Sequence, residues 1–301
     1  MTSADYTGFF DQQSYQDFEN QIYIGEVCHV FEHTINLVLK KQFPRLLTIG
    51  GMQVLGNPQS IAFANFQSIR PQLTVGQTVI LHGTQQLQLP NLVCPLLPAK
   101  TATLEGSLYF PHSTENLKKV DDLKKRLIGQ NTSQCHPAFA PFYDQLFREA
   151  TLLSQALLEG NAATVDHHVQ RMTGLGIGLT PSGDDLLTGM MSAIHHEKVS
   201  ANLLTQSIFK ALEGTNMISQ HQLFFACQGR VKPSLLAVVQ SILDDRVETT
   251  TFQRAITETL ATGSTSGHDL LTGVLVGFEF LNRKGAYQYE ISRKSNSESL
   301  H

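Results

Sequence analysis

One eight-residue element occurs twice, as Ser182-Gly183-Asp184-Asp185-Leu186-Leu187-Thr188-Gly189 and as Ser266-Gly267-His268-Asp269-Leu270-Leu271-Thr272-Gly273, identical at seven of eight positions. The first copy follows the glycine-rich run Gly174-Leu175-Gly176-Ile177-Gly178-Leu179-Thr180-Pro181. A loop of this kind, opening onto a helix N-terminus, can turn several backbone N–H groups toward one point, where the helix dipole adds positive potential. A phosphate, a carboxylate or the oxyanion of acyl transfer suits such a cradle. Candidate substrate- or anion-binding residues are therefore Gly176, Gly178, Leu179, Thr180, Ser182 and Gly183, with Ser264, Ser266 and Gly267 from the second copy. Candidate catalytic residues are Asp184, Asp185, His268 and Asp269.

Two carboxylates beside an anion cradle repel the anion unless something intervenes. They make sense with a metal such as magnesium, with a basic side chain (Arg171 or Arg230), or as acceptors for an amide or carbamoyl NH2 group. A structural reading competes. Ser-Gly-X-Asp has capping-box form, the serine hydroxyl accepting from the third N–H and the aspartate reaching back, so that Asp185 and Asp269 would be helix caps. Capping leaves unexplained the one mismatch, Asp184 against His268. If the copies face each other across a pseudo-twofold axis, that acid and that histidine approach one site as an acid–base or clamping pair.

The elements around these residues divide into two kinds. Residues 22–41 carry Ile22, Val27, Val30, Phe31, Ile35, Leu37 and Leu39, which we read as a leading amphipathic helix. Short β-prone runs at 46–49, 61–64 and 78–81 follow, punctuated by Gly, Pro and Asn. Residues 114–128 have helical spacing with interleaved lysines, a surface helix or linker. Beyond Pro137 helices are expected at 138–158, 161–173, 184–198, 201–213, 216–228, 233–243, 251–261 and 268–281. Gly189 and Gly273 fall inside two of them at a cost of about 1 kcal/mol each, which suggests a close backbone neighbour. The expected fold class is α+β. A β-rich N-terminal domain (22–110) with its leading helix precedes a linker (111–136), an all-helical domain with an internal pseudo-repeat (137–282) and a flexible tail (283–301).

The run GLGIGLTPSGDDLLTG resembles the GLGxGLTPSGDD signature of a bacterial family that includes the AllH-type subunit of oxamate carbamoyltransferase. The front helix Glu26–Leu39, the strand-rich stretch with its Val-Gly-Gln turn and Thr215-Asn216-Met217-Ile218-Ser219 extend the likeness over residues 22–282. The resemblance implies carbamoyl transfer among oxalurate, phosphate, oxamate and carbamoyl phosphate, in anaerobic allantoin use and purine catabolism, by an assembly of different proteins. It implies a phosphate site, donors for the carbonyl oxygen and acceptors for the carbamoyl NH2. Two other functions compete with it: a non-catalytic structural or regulatory subunit, and a Mg-dependent phosphoryl-transfer enzyme built on the acidic pair.

Composition narrows the partners. The 301 residues carry a formal net charge of −4 and 16% charged side chains, without a basic stripe, so nucleic acid is not an expected partner. No apolar run is long enough for a membrane span and the N-terminus lacks a secretory pattern, which gives a cytoplasmic expectation. Cys28, Cys94, Cys135 and Cys227 form no CxxC pair and read as reduced thiols. His29-Val30-Phe31-Glu32-His33 matches HxxEH, but no distal glutamate helix marks a third ligand, and no resident cofactor is expected. His167, His168, His195 and His196 read as solvated, and His221 as a partly buried histidine.

Overall fold

The computed structural model describes residues 6–18, 21–40, 42–99, 104, 113–134 and 140–298. Cys135 and residues 105–112 and 299–301 lie outside the described residues. The chain divides into two compact units, one of residues 1–103 with 230–233 and one of 104–229 with 234–301.

The first unit is a closed eight-stranded barrel. Its strands are β1 (Gly8–Asp11), β2 (Ile22–Val30), β3 (Thr34–Leu39), β4 (Leu46–Gly50), β5 (Ser60–Phe63), β6 (Thr78–His82), β7 (Gln86–Leu89) and β8 (Leu92–Ala99). Around the barrel the order is β1-β5-β4-β3-β2-β6-β7-β8. Two seams are parallel, β4 with β5 and β1 with β8, and the latter closes the barrel. Short helices α1 (Gln12–Asp17) and α2 (Phe66–Ile69) interrupt the strands.

The N-terminal unit is β-rich as expected, but the expected leading helix at 22–41 is overturned. Residues 22–39 are two antiparallel strands, pairing Gly25 with Leu39 and Val30 with Ile35. The physical reason is the period of two: Tyr23, Gly25 and Val27 face inward while Ile22, Ile24 and Glu26 face out. Ile35, Leu37 and Leu39 alternate likewise, each almost fully buried. The HxxEH match therefore lies on a strand and the turn after it, where no single helical face carries both His29 and His33. Barrel closure also recruits residues before 22, since β1 lies between β5 and β8. Phe10, Phe18, Val27, Leu37, Ile49, Ile61, Phe63, Leu81 and Leu87 fill the interior.

Arg230 belongs to this unit. Its guanidinium is buried and donates to Asp11 Oδ1 and Ser14 Oγ, both at 2.8 Å. Its charge is thus engaged within the barrel unit.

The second unit is helical: α3 (Thr114–Gln134), α4 (Ala140–Glu159), α5 (Ala162–Met172), α6 (Ser182–Ile194), α7 (Lys198–Ala211), α8 (Met217–Cys227), α9 (Pro233–Leu243), α10 (Thr249–Leu260) and α11 (Ser266–Glu298). Asn161 and Asn216 cap α5 and α8 with their side chains, and Pro233 opens α9. Lys119 on α3 is buried, and its ammonium donates to the carbonyls of Ser241, Asp244 and Val247 at the end of α9. Helix α11 continues to Glu298, through the stretch expected to fray.

The first octapeptide opens a 13-residue helix and the second a 33-residue helix.

Candidate functional site

Helices α6 and α11 pack in parallel, with both N-termini at one end, because each octapeptide supplies a glycine where the partner backbone passes. A Cβ at Gly189 would overlap the carbonyl oxygen of Leu270, and one at Gly273 would overlap that of Leu186. The contacts are reciprocal: Gly189 also meets Val274 N, and Gly273 meets Met190 N. The first glycine of each element works the same way toward the preceding helix, Gly183 against the carbonyl of Met172 and Gly267 against that of Thr259.

Neither serine is a capping residue. Helix α6 starts at Ser182 with Pro181 as its cap, and the N–H groups of Asp184 and Asp185 donate to the Pro181 carbonyl. Asp269 N–H donates to the Thr265 carbonyl in the same manner. The capping-box reading thus fails because each helix begins at the serine itself, and the backbone carbonyl of the residue before it, Pro181 or Thr265, takes the first-turn N–H groups. The aspartates are released to point elsewhere.

Asp184 is fully buried and both its oxygens are engaged. Oδ1 accepts the Gly174 N–H at 2.8 Å and Oδ2 accepts the Thr215 hydroxyl at 2.5 Å. Burial raises its pKa, and these two bonds act against the rise. Asp184 thereby ties the start of the glycine loop to the turn that opens α8.

Asp185 is also fully buried and faces the α11 terminus. Gln222 on α8 donates to its Oδ1 at 2.6 Å and reaches Thr188 Oγ1 at 3.2 Å. Burial pushes its pKa up to about 7, with a further upward push from the Asp269 charge, against bonding from Gln222, Ser266 and Thr180. Asp269 is 2% exposed. The Oδ2 atoms of Asp185 and Asp269 are both buried with no donor within hydrogen-bonding distance, as is His268 Nε2; the Thr180 and Ser266 hydroxyls lie near Asp185 but bond each other. His268 Nδ1 lies 4.0 Å from Asp269 Oδ1. The expected approach of Asp184 and His268 is not what the side chains make: Asp184 bonds Gly174 and Thr215, and His268 stands beside Asp269.

Thr180 and Ser266 join the two helix termini through a hydroxyl–hydroxyl bond of 2.6 Å. The loop before Thr180 turns on glycines with positive φ, Gly174 (73°), Gly176 (134°) and Gly178 (100°). Gly176 is irreplaceable on two counts, since a Cβ there would also lie 2.6 Å from Ser182 N. Ile177 and Leu179 are 75% and 51% exposed, an unusual placement for large apolar side chains. Ser182 and Gly183 are buried, and Gly183 N–H already serves the Leu175 carbonyl. Ser264 is exposed in the turn before α11.

The remaining candidates are placed otherwise. Arg171 donates to Glu149 Oε1 at 2.7 Å, and Glu149 Oε2 bonds His168 Nδ1 at 2.8 Å, so His168 is a buried partner instead of a solvated residue. His221 packs edge-on against Phe225. No group of three His, Cys, Asp or Glu side chains is placed to hold a metal among the described residues. No helix there is long and apolar enough to cross a membrane. Sequence reasoning missed Gln222, because its relation to Asp185 depends on α8 crossing α6.

The chain matches no solved structure. Its match to a known family covers residues 172–278, from the end of α5 through both octapeptides and most of the α6–α11 pair. That family is described as oxamate carbamoyltransferase subunit AllH, and this segment of the chain is similar to it.

Proposed function

We propose that the chain is a subunit of a carbamoyltransferase assembly and that the paired N-termini of α6 and α11 form its substrate site. The observation that carries this reading is the AllH match, which spans every residue of the Asp185–Asp269 cluster. The reaction is phosphorolysis of oxalurate. A phosphate oxygen attacks the carbamoyl carbon, the C–N bond to the oxamate nitrogen breaks, and that nitrogen takes a proton as oxamate leaves with carbamoyl phosphate as co-product.

The chain's residues fit parts of this chemistry. With the N–H groups of Gly183, Asp184 and Asp185 used internally, the anion cradle falls to the loop at 176–180 together with the Thr180 and Ser266 hydroxyls. The buried Asp185 carboxyl lies beside the Thr180 and Ser266 hydroxyls of that cradle. Asp184 acts as a positioning residue through Gly174 and Thr215. Other proteins of the assembly complete the enzyme.

The test is oxalurate- and phosphate-dependent formation of carbamoyl phosphate by the full chain, alone and with candidate partner proteins. Full activity in Asp185→Asn would remove that carboxyl from the mechanism. A second reading, a non-catalytic subunit, draws on the exposed Ile177 and Leu179, which offer a partner an apolar knob at the loop tip. It expects an Ile177→Asp, Leu179→Asp variant to lose partner binding while the isolated wild-type chain binds no small anion.

A further inference from the structure

We infer that Asp185 and Asp269 select the substrate by its primary amide, accepting the two N–H groups of a carbamoyl NH2 and so rejecting acyl groups of the same shape. The inference rests on the carbamoyltransferase reading and assigns specificity within it.

Both carboxyls sit in the first turns of helices brought together by Gly189 and Gly273. Each keeps one oxygen, Oδ2, buried with no donor within hydrogen-bonding distance, the Thr180 and Ser266 hydroxyls beside Asp185 being bonded to each other. A buried unmet acceptor costs about 1–3 kcal/mol, so two of them at adjoining helix termini mark a place where donors are to be supplied. The carboxyl of Asp185 is not free to turn away, because Gln222 pins Oδ1 from α8. Gln222 is itself held, its amide also reaching Thr188.

The ligand chemistry follows from counting donors. A carbamoyl NH2 offers two N–H groups to two acceptors. An acetyl methyl of nearly equal size offers none and would leave both oxygens desolvated. A carboxylate or phosphate oxygen would face them with like charge. This resolves the conflict of two acids beside an anion cradle: the anionic end of the ligand lies toward the glycine loop and its uncharged amide end toward the aspartates. The Thr180–Ser266 hydroxyl bond spans the two termini, and a hydroxyl there can donate to the carbamoyl oxygen.

The experiment is calorimetric titration of the full chain with carbamoylphosphonate, acetylphosphonate, inorganic phosphate and guanidine. The wild type is expected to bind carbamoylphosphonate roughly tenfold or more tightly than acetylphosphonate. Asp185→Asn and Asp269→Asn each replace an acceptor by a donor and are expected to reduce that preference below about threefold, with phosphate affinity retained. Gln222→Met leaves both carboxyls in place and is expected to weaken the preference less. It also keeps the test open should an aspartate variant fail to fold. Equal binding of the two phosphonates by the wild type, or unchanged discrimination in all three variants, would overturn the inference alone. Guanidine binding more tightly than carbamoylphosphonate would reassign the pair to a cation. Absence of binding to any of the anions, with or without partner proteins, would remove the carbamoyltransferase reading itself.

Discussion

Gly189 of α6 and Gly273 of α11 lock into each other's helix, each leaving room for the opposite backbone where a methyl group would overlap a carbonyl oxygen. The glycines accept a helix-propensity cost of about 1 kcal/mol each in return for an approach that no larger residue permits. That approach brings Asp185 and Asp269 to neighbouring termini.

The first prediction concerns that packing. Gly189→Ala or Gly273→Ala forces the helices apart and is expected to destabilise the protein by about 1–3 kcal/mol or more, despite alanine's better helix propensity. Urea unfolding monitored by circular dichroism measures it. A stabilised variant would refute the close packing.

Asp185 gives a pH dependence with a definite sign. Its folded pKa of about 7 lies above the unfolded value of 3.8, so its stabilising contribution is present in full below about pH 4 and is lost as pH rises through about 7. Wild-type stability should therefore fall between those limits relative to Asp185→Asn, by up to about 1.4 kcal/mol per pH unit. Denaturant titrations of both proteins from pH 4 to 8 provide the comparison.

Gln222→Ala withdraws the bond that lowers this pKa. The midpoint of the pH-dependent loss is expected to move upward from the wild-type position, and the same titration series reads it. A downward movement would show that Gln222 does not hold the carboxyl.

Asp184→Asn keeps shape but sets an amide against the Gly174 N–H or the Thr215 hydroxyl. A loss of about 1–3 kcal/mol is expected. Hydrogen exchange at Gly174 should accelerate beyond what this global loss accounts for, since the loop loses its tie.

Lys119→Met leaves three carbonyls at the end of α9 without their ammonium donor. Stability should drop by about 3 kcal/mol, measured by denaturant unfolding. Lys119→Arg cannot rescue fully, because a planar fork does not reproduce three convergent donors.

The helical unit was readable wherever local chemistry punctuates it. Asn161, Asn216, Pro233 and Gly160 announce their boundaries in the sequence itself. The segment 22–39 was not, because apolar residues occupy both faces of β2, and Ile22 and Ile24 outside the barrel blur the alternation of Tyr23 and Val27 within it. The turn at Glu32-His33 also lacks the Gly, Pro or Asn that marks hairpins elsewhere. At the site, the glycine loop and the repeated element were evident from residue type alone. The direction of the aspartates was not, because it depends on Pro181 taking the cap and on α8 delivering Gln222. Side-chain partners separated by 37 residues leave no local pattern.

The parallel seam between β1 and β8 has a consequence for handling the protein. Four residues, Gly8–Asp11, pair with both β5 and β8 and so close the barrel. A truncation through Asp11 would expose two unpaired edges at once, each able to template pairing with another chain. Such a truncated protein should form concentration-dependent aggregates rich in intermolecular sheet, so tags and cleavage sites belong well ahead of Gly8.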